Sequence, residues 1–457
     1  MIVPEENWAV GYRQQDLCST MARIAAGRLV TYVSNMTDDT DLLLRRAGFG
    51  PTATELAASR QVGYAATLSG LTAPPGPDIG ATSAPFPSLG TDPYADRPNP
   101  SPDERIAADE TRRTGLGVIN RWWLDRMTVA NHQAVEKLQF FWHGHWATAV
   151  TKVKSPQLML RQYRTIREAT DFAVMARRMV VDPALVYWLD GQFNTKAAPN
   201  ENLARELFEL FVLGIGQYTE ADVKEAGRAL TGWRLDLGAE SCVFDPRHHD
   251  TGRKTVLGRT GPFDARALVD VLLEQETCPQ FIASRLWFRY ASSTQPIPRP
   301  TLDRMTAAFP APMGMLAALF EDDAFHATRG TMVKQPIEWL VGGMRQLGVR
   351  PVHTPTETLT QILDGLAGLG QRPFDPPSVG GWPSGAAWLS SAAAQVRLSL
   401  AGKLANLLDP GKLTPESVAY ILCIDTWTNR TYAVLRDVQN SRLLLTLGLV
   451  SPEYLVT

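Results

Sequence analysis

Seven histidines occur in the chain, and four of them fall in two tight pairs, His143-Gly144-His145 and His248-His249. Histidine is the commonest metal ligand and the usual acid/base at neutral pH, so this clustering marks the first place to look for chemistry. The first pair lies in FWHGHW, where aromatic neighbours would exclude water and stiffen a site. Residues two apart do not share a helix face, so Gly144 would have to end a helix for both imidazoles to turn inward. The alternative is a histidine wedged among aromatics with its ring nitrogens bonded to backbone. The second pair lies in FDPRHHDTGRK, where His249 precedes Asp250. Histidine beside aspartate on a loop suits a metal ligand, an imidazole oriented by a carboxylate, or general acid/base work. A solvated polar turn is the plain alternative.

Carboxylates come from NENLARELFEL. On a helix, Asn202, Glu206 and Glu209 stand four and three apart and lie near one face, while Leu203, Leu207, Leu210 and Phe211 form the apolar stripe. Inward carboxylates on facing helices, completed by histidine, are how helical bundles build iron or manganese sites. Glu-x-x-His is absent here, and an Arg205–Glu209 ion pair on an exposed face explains the same spacing. From these residues the expected metal ligands are His143, His145, His249 and Glu206, with Glu209 as a further donor. His248 and Asp250 are expected in acid/base roles and Arg205 in charge neutralisation. Arg247, Lys254, Asn202 and Trp382 are expected to contact substrate. Mixed nitrogen and oxygen donors without thiolate fit iron, manganese or zinc, and the helical scaffold favours iron. The expected activity is a metal-dependent oxidoreductase acting on a small molecule. The alternatives are a zinc or manganese hydrolase, metal-free catalysis by His248, His249 and Asp250, or a non-enzymatic binding or assembly protein.

The elements that would position these residues read as helices. Asp39-Thr40-Asp41 caps a helix in LLLRRAGF, and Pro51-Thr52 opens a second, so that 39–68 reads as two helices. Residues 72–102 are rich in Pro, Gly, Ser and Asp, lack any period and read as a long inserted loop. From Asp103 to Met179 the pattern is helical, with Pro156 at a first helical position after Ser155. Asn202 to Leu213 reads as one amphipathic helix closed by Gly214, and Thr219 with Asp222 forms a capping box for the next. Residues 234–258 alternate and carry turn residues, which predicts a small hairpin. Helices resume over 264–290 and from Pro336 to Leu347, and FDPPSVGGWPSG forms a loop around Trp382, a lid or a static corner. The whole predicts a single all-α domain over 1–457, with at most a small β-hairpin.

Composition narrows the partners. Basic residues number 45 against 47 acidic, which gives no long-range field for nucleic acid or an anionic membrane. No apolar run of about 18 residues suggests a membrane span. The opening MIVPEENWAVGYRQQD has no basic and apolar leader pattern, so a cytoplasmic location is expected. Cys18, Cys242, Cys278 and Cys423 are far apart and form no C-x-x-C pair, so buried free thiols are expected. G-x-S-x-G, Walker A and H-E-x-x-H are all missing.

Taken in order, LLRRAGFGPT, FWHGHW, NENLARELFELFVLG, YTEADVKEAGRALTGW, FDPRHHDTGRKTVLG, VKQPIEW and PPSVGGWPSGAAWLS resemble the bacterial DUF1800 family, from about Leu42 to Lys403. The resemblance implies membership rather than an activity. Members of that family often carry an export signal and occur alongside DUF1501 proteins, which implies a possible DUF1501-type protein partner. The candidate polar residues sit in the very segments that carry the resemblance, as a shared site would require.

Overall fold

The computed structural model describes residues 39–95 and 99–457. Cys18 and the opening segment lie outside the described residues. The fold is mainly all-α, with two small antiparallel hairpins. The N-terminal part holds α1 (Thr40–Ala47), α2 (Ala53–Val62) and α3 (Tyr64–Thr72). Three helices replace the two expected because Gly63, at φ +86°, breaks the run between α2 and α3. Thr52 starts α2 with a full capping box. The Pro-rich stretch that follows is tied down rather than free. Asp92 is gripped by Arg112, and the Trp122 indole donates to the Ala84 carbonyl at 3.0 Å.

Helix α4 (Pro102–Val129) opens on a Ser101–Glu104 capping box, and α5 (Gln133–His145) follows after a short break. Helix α6 (Pro156–Arg167) has its proline in the first turn, as read from the sequence. Helix α7 (Asn202–Glu206) does not continue to Leu213 as an α-helix. It widens into a π-helical stretch over Leu207–Val212, a form that often marks functional turns. Helix α8 (Glu220–Ala229) carries the Thr219–Asp222 capping box. The alternating segment beyond it forms two hairpins, β1 (Trp233–Asp236) with β2 (Ser241–Phe244), and β3 (Lys254–Val256) with β4 (Arg259–Gly261). Helices α9 (Thr277–Tyr290), α10 (Pro336–Leu347) and α11 (Ser391–Asn406) complete the elements that matter here. No helix among the described residues is long and apolar enough to cross a membrane.

Two apolar clusters form the interior. One gathers Phe141, Trp142, Trp146, Phe172, Phe208, Phe211, Leu286 and Tyr290. The other gathers Phe49, Trp123, Phe140, Trp339, Leu340, Trp382, Leu400 and Leu404. Helix α5 belongs to both, since consecutive residues on a buried helix point to different sides. It therefore marks the seam between the two cores, a place where folds commonly leave binding cavities.

Candidate functional site

The two imidazoles of FWHGHW do not converge. Gly144 does not end the helix before His145, so the pair stays helical and the rings diverge. His143 Nε2 accepts from the Phe374 amide at 3.1 Å, with Trp123, Phe374 and Trp382 packed around the ring. That bond occupies the lone pair a metal would need. His145 donates from Nε2 to the Phe211 carbonyl at 2.9 Å, within the π-helical turn. Its Nδ1 is buried with no hydrogen-bond partner among the described residues. Burial pushes both imidazoles down to about 3, and the nearby Arg285 adds to this at His145. Both rings are therefore neutral at ordinary pH.

The remaining candidates form local polar networks on the other side of the first core. His249 Nδ1 donates to the Thr231 carbonyl at 3.0 Å, which leaves Nε2 as its ligand atom. Asp250 is held by Arg228 at 2.8 and 3.2 Å, and hydrogen bonding to that guanidinium lowers its carboxyl to about 2. Lys254 is buried and donates to the Asp250 and Gly252 carbonyls, so it braces the loop from within. His248 and Arg247 both bond the Asp245 carboxylate at 3.0 Å at the surface. Arg205 makes a two-pronged ion pair with Glu220 at 2.7 and 2.8 Å. Glu209 accepts from the Tyr218 hydroxyl, and Asn202 is exposed. Glu206 is half-buried, and burial followed by the neighbouring Glu209 raises its carboxyl above the usual range. Among the described residues no three histidine, cysteine, aspartate or glutamate side chains are grouped to share a metal ion. The donor set read from the sequence therefore does not fit one metal centre, and no reaction step is derived through one.

Among the candidates, Arg247 lines a wide surface hollow beside β1 and β2, and Trp382 lines a small, partly open cavity at the seam of the two cores. Lys137, Phe140, Phe141 and Gly144 form one wall. They stand at i, i+3, i+4 and i+7 of α5 and so share a face. Arg289 and Tyr290 from α9, Gln335 and Glu338 from the start of α10, and Phe49 form the rest. The cavity measures about 10 Å³, enough for one water-sized atom. Four family-like segments, LLRRAGFGPT, FWHGHW, VKQPIEW and GGW, thus meet at one point.

The charges around this cavity are unequal. Glu338 accepts from Lys137 Nζ at 2.9 Å, from the Gln335 amide at 3.0 Å and from Gln335 Nε2 at 3.1 Å, so its acceptor capacity is largely used. Its negative charge also favours the charged forms of Arg46, Arg289 and Lys334. Arg46 is solvated by the carbonyls of Tyr290, Ala291, Thr328 and Thr457. Arg289 has no comparable arrangement. It makes one bond, from Nη2 to the Trp382 carbonyl at 3.5 Å, and its Nη1 is enclosed without a partner among the described residues. Burial pushes it down to about 10, with Arg285 one helical turn away adding repulsion. The Tyr290 hydroxyl and the Trp382 indole nitrogen are likewise buried without partners. The cavity is lined mostly by hydrogen-bond donors with two cations against the one carboxylate of Glu338, and what it lacks is a second acceptor with negative charge.

Lys137, Arg289, Tyr290 and Glu338 were not among the residues singled out from the sequence. A signal existed for each charged one. Lys137 interrupts the apolar face of α5, Arg285 and Arg289 stand four apart in the otherwise apolar FIASRLWFRY, and Glu338 completes a Q-x-x-E cap. Comparison with known proteins adds no activity: no curated protein and no solved structure matches the chain. The ordered segments that build this cavity and the polar networks beside it instead place the chain in one family. The match to DUF1800, described as "Protein of unknown function", runs over residues 42–456, and the chain belongs to that family.

Proposed function

We propose that the protein binds a small molecule through an anionic group, held by Arg289 at the seam between α5, α9 and the start of α10. The observation that carries this reading is the charge imbalance. Among the described residues Arg289 has no acidic partner that is not already bonded to Lys137, and three cavity-lining residues carry buried donors without acceptors. Leaving such groups unpaired costs about 1–3 kcal/mol each, so an anionic acceptor would be strongly favoured there. An arginine with an open fork also matches a carboxylate or phosphate in two parallel bonds.

The test is a thermal-shift and calorimetric titration with acetate, benzoate, sulfate and inorganic phosphate, each paired with a neutral amide or ester. A ligand that binds only the folded state raises stability in proportion to the logarithm of its concentration over Kd. The expected result is saturable stabilisation by at least one anion, lost in Arg289→Met and absent for the neutral counterparts. Equal stabilisation of Arg289→Met, or none by any anion, would sink the proposal.

A further inference from the structure

The cavity at Arg289 is too small for an organic molecule, and the residue that closes it is Trp382. Its ring lies nearly parallel to Phe140, with centroids 5.0 Å apart and an interplanar angle of 10°. Its own main-chain carbonyl makes the one hydrogen bond of the Arg289 guanidinium, at 3.5 Å. Its indole nitrogen, though buried, has no acceptor among the described residues. Each polar contact of Trp382 is thus long or missing, while its apolar face is well seated.

The loop that carries it is anchored at its ends. At the start, the Phe374 amide bonds His143, and the Phe374 carbonyl accepts from Val150 at 2.9 Å. At the far end, the Trp388 carbonyl accepts from Arg397 at 2.6 Å. Over residues 376–387 the Arg289 contact is the one hydrogen bond to the rest of the described residues; the others are internal, such as Gly381 to Ser378. Glycine on both sides lets the loop come this close. A Cβ at Gly381, whose φ is +83°, would sit 2.2 Å from the Gly144 carbonyl oxygen, and one at Gly144 would meet the Trp382 ring at 3.2 Å.

We infer that Trp382 occupies the ligand's own place, and that the ligand is an aryl-alkyl carboxylate which enters by displacing the 376–387 loop. This rests on the anion site proposed above and names the molecule it takes. An aromatic ring on Phe140 joined through two carbons to a carbonyl oxygen on Arg289 is one half of the description of an arylpropionate. The tryptophan residue supplies the ring, Cβ, Cα and one neutral oxygen. A free acid supplies the same ring and spacer, with two charged oxygens for the guanidinium fork. It exchanges a long neutral contact for a charge-assisted pair, which is the differential interaction a displacement requires.

The probe is indole-3-propionate, compared with indole-3-propionamide, hexanoate and sulfate, on the full chain. Hydrogen exchange over 376–387 is read with and without each compound. The expected result is saturable binding of indole-3-propionate, stronger than hexanoate or sulfate, with faster exchange across the loop in the complex. Trp382→Ala, checked for fold by circular dichroism, should bind the acid about tenfold more tightly, because the internal competitor is gone. Slower exchange of the loop on binding, weaker binding by Trp382→Ala, or hexanoate binding as well as the indole acid would each overturn the inference while leaving the anion site standing. If neither the indole acid nor hexanoate binds, and none of the acetate, benzoate, sulfate and phosphate panel does, the anion site itself fails.

Discussion

Replacing Glu338 by glutamine removes the one carboxylate that serves the buried cations at the seam. In the native protein it lies 2.9 Å from Lys137 Nζ, with side chains only 5% and 13% exposed. Removing one member of such an enclosed pair costs about 3–5 kcal/mol, because the other charge stays buried without compensation. Glutamine keeps the size and one acceptor oxygen, so the low end, about 3 kcal/mol, is expected in urea denaturation. Two further readings separate charge from packing. In Glu338→Gln with Lys137→Met, both charges are gone, and most of the lost stability should return as a coupling of about 2 kcal/mol or more. The loss should also depend on pH. Burial already lowers the Lys137 ammonium below its usual value, and Glu338 opposes that lowering. Without Glu338 the folded-state value falls further, so the unfolded chain binds more protons between that value and the usual 10.5. Stability of the variant then rises with pH through that window. Its deficit should shrink between pH 7 and about 10, relative to wild type. A deficit that is additive in the double variant, or that does not change with pH, would refute the assignment of Glu338 as the seam's counter-charge.

Three other outcomes are expected. His143 and His145, held down to about 3 chiefly by burial, contribute stability that is present above the free-histidine value of 6.5 and lost as pH falls from 6.5 toward 3. At about 1.4 kcal/mol per pKa unit the loss is several kcal/mol, and NMR titration showing either ring protonating near 6.5 would contradict it. Gly381→Ala, at φ +83° and with its new Cβ on the Gly144 carbonyl, should cost about 1–3 kcal/mol and expose residues 376–387 to protease; unchanged cleavage would count against the close approach. Asp250→Asn removes one of the two carboxylates on Arg228, at 2.8 and 3.2 Å, leaving Glu225, and should speed hydrogen exchange across 245–256 at a cost of about 1–2 kcal/mol, whereas an unaltered exchange pattern would show that the loop is held without Asp250's charge.

Local signals in the chain specify much of this protein. The caps at Thr52, Ser155 and Thr219 start helices where the residue types say they should, because a side-chain acceptor three residues before a free amide needs no distant partner. Pro336 to Leu347 runs as read, and the alternating stretch after α8 does form hairpins. The π-helical turn at Leu207–Val212 has no local mark, since its widened bonding coincides with a carbonyl, that of Phe211, turned to a histidine 66 residues away.

The clustering of polar residues in a few ordered segments is likewise plain in the sequence, and it does identify where the chain invests in polar interior contacts. Which of them share a cavity is not. His143 and His145 stand two apart on a continuing helix, so different faces of α5 carry them to different surroundings while the 137–140–141–144 face carries a lysine and a glycine to the seam. Arg289 is one arginine among many until α9, α10 and the Trp382 loop enclose it. The sequence by itself determines helix starts, turn chemistry and which faces are apolar, because those depend on neighbours within one or two turns. Only the tertiary structure decides which buried cation is left without a carboxylate, because that balance is struck among side chains from three segments brought together after about 150 and 50 intervening residues along the chain.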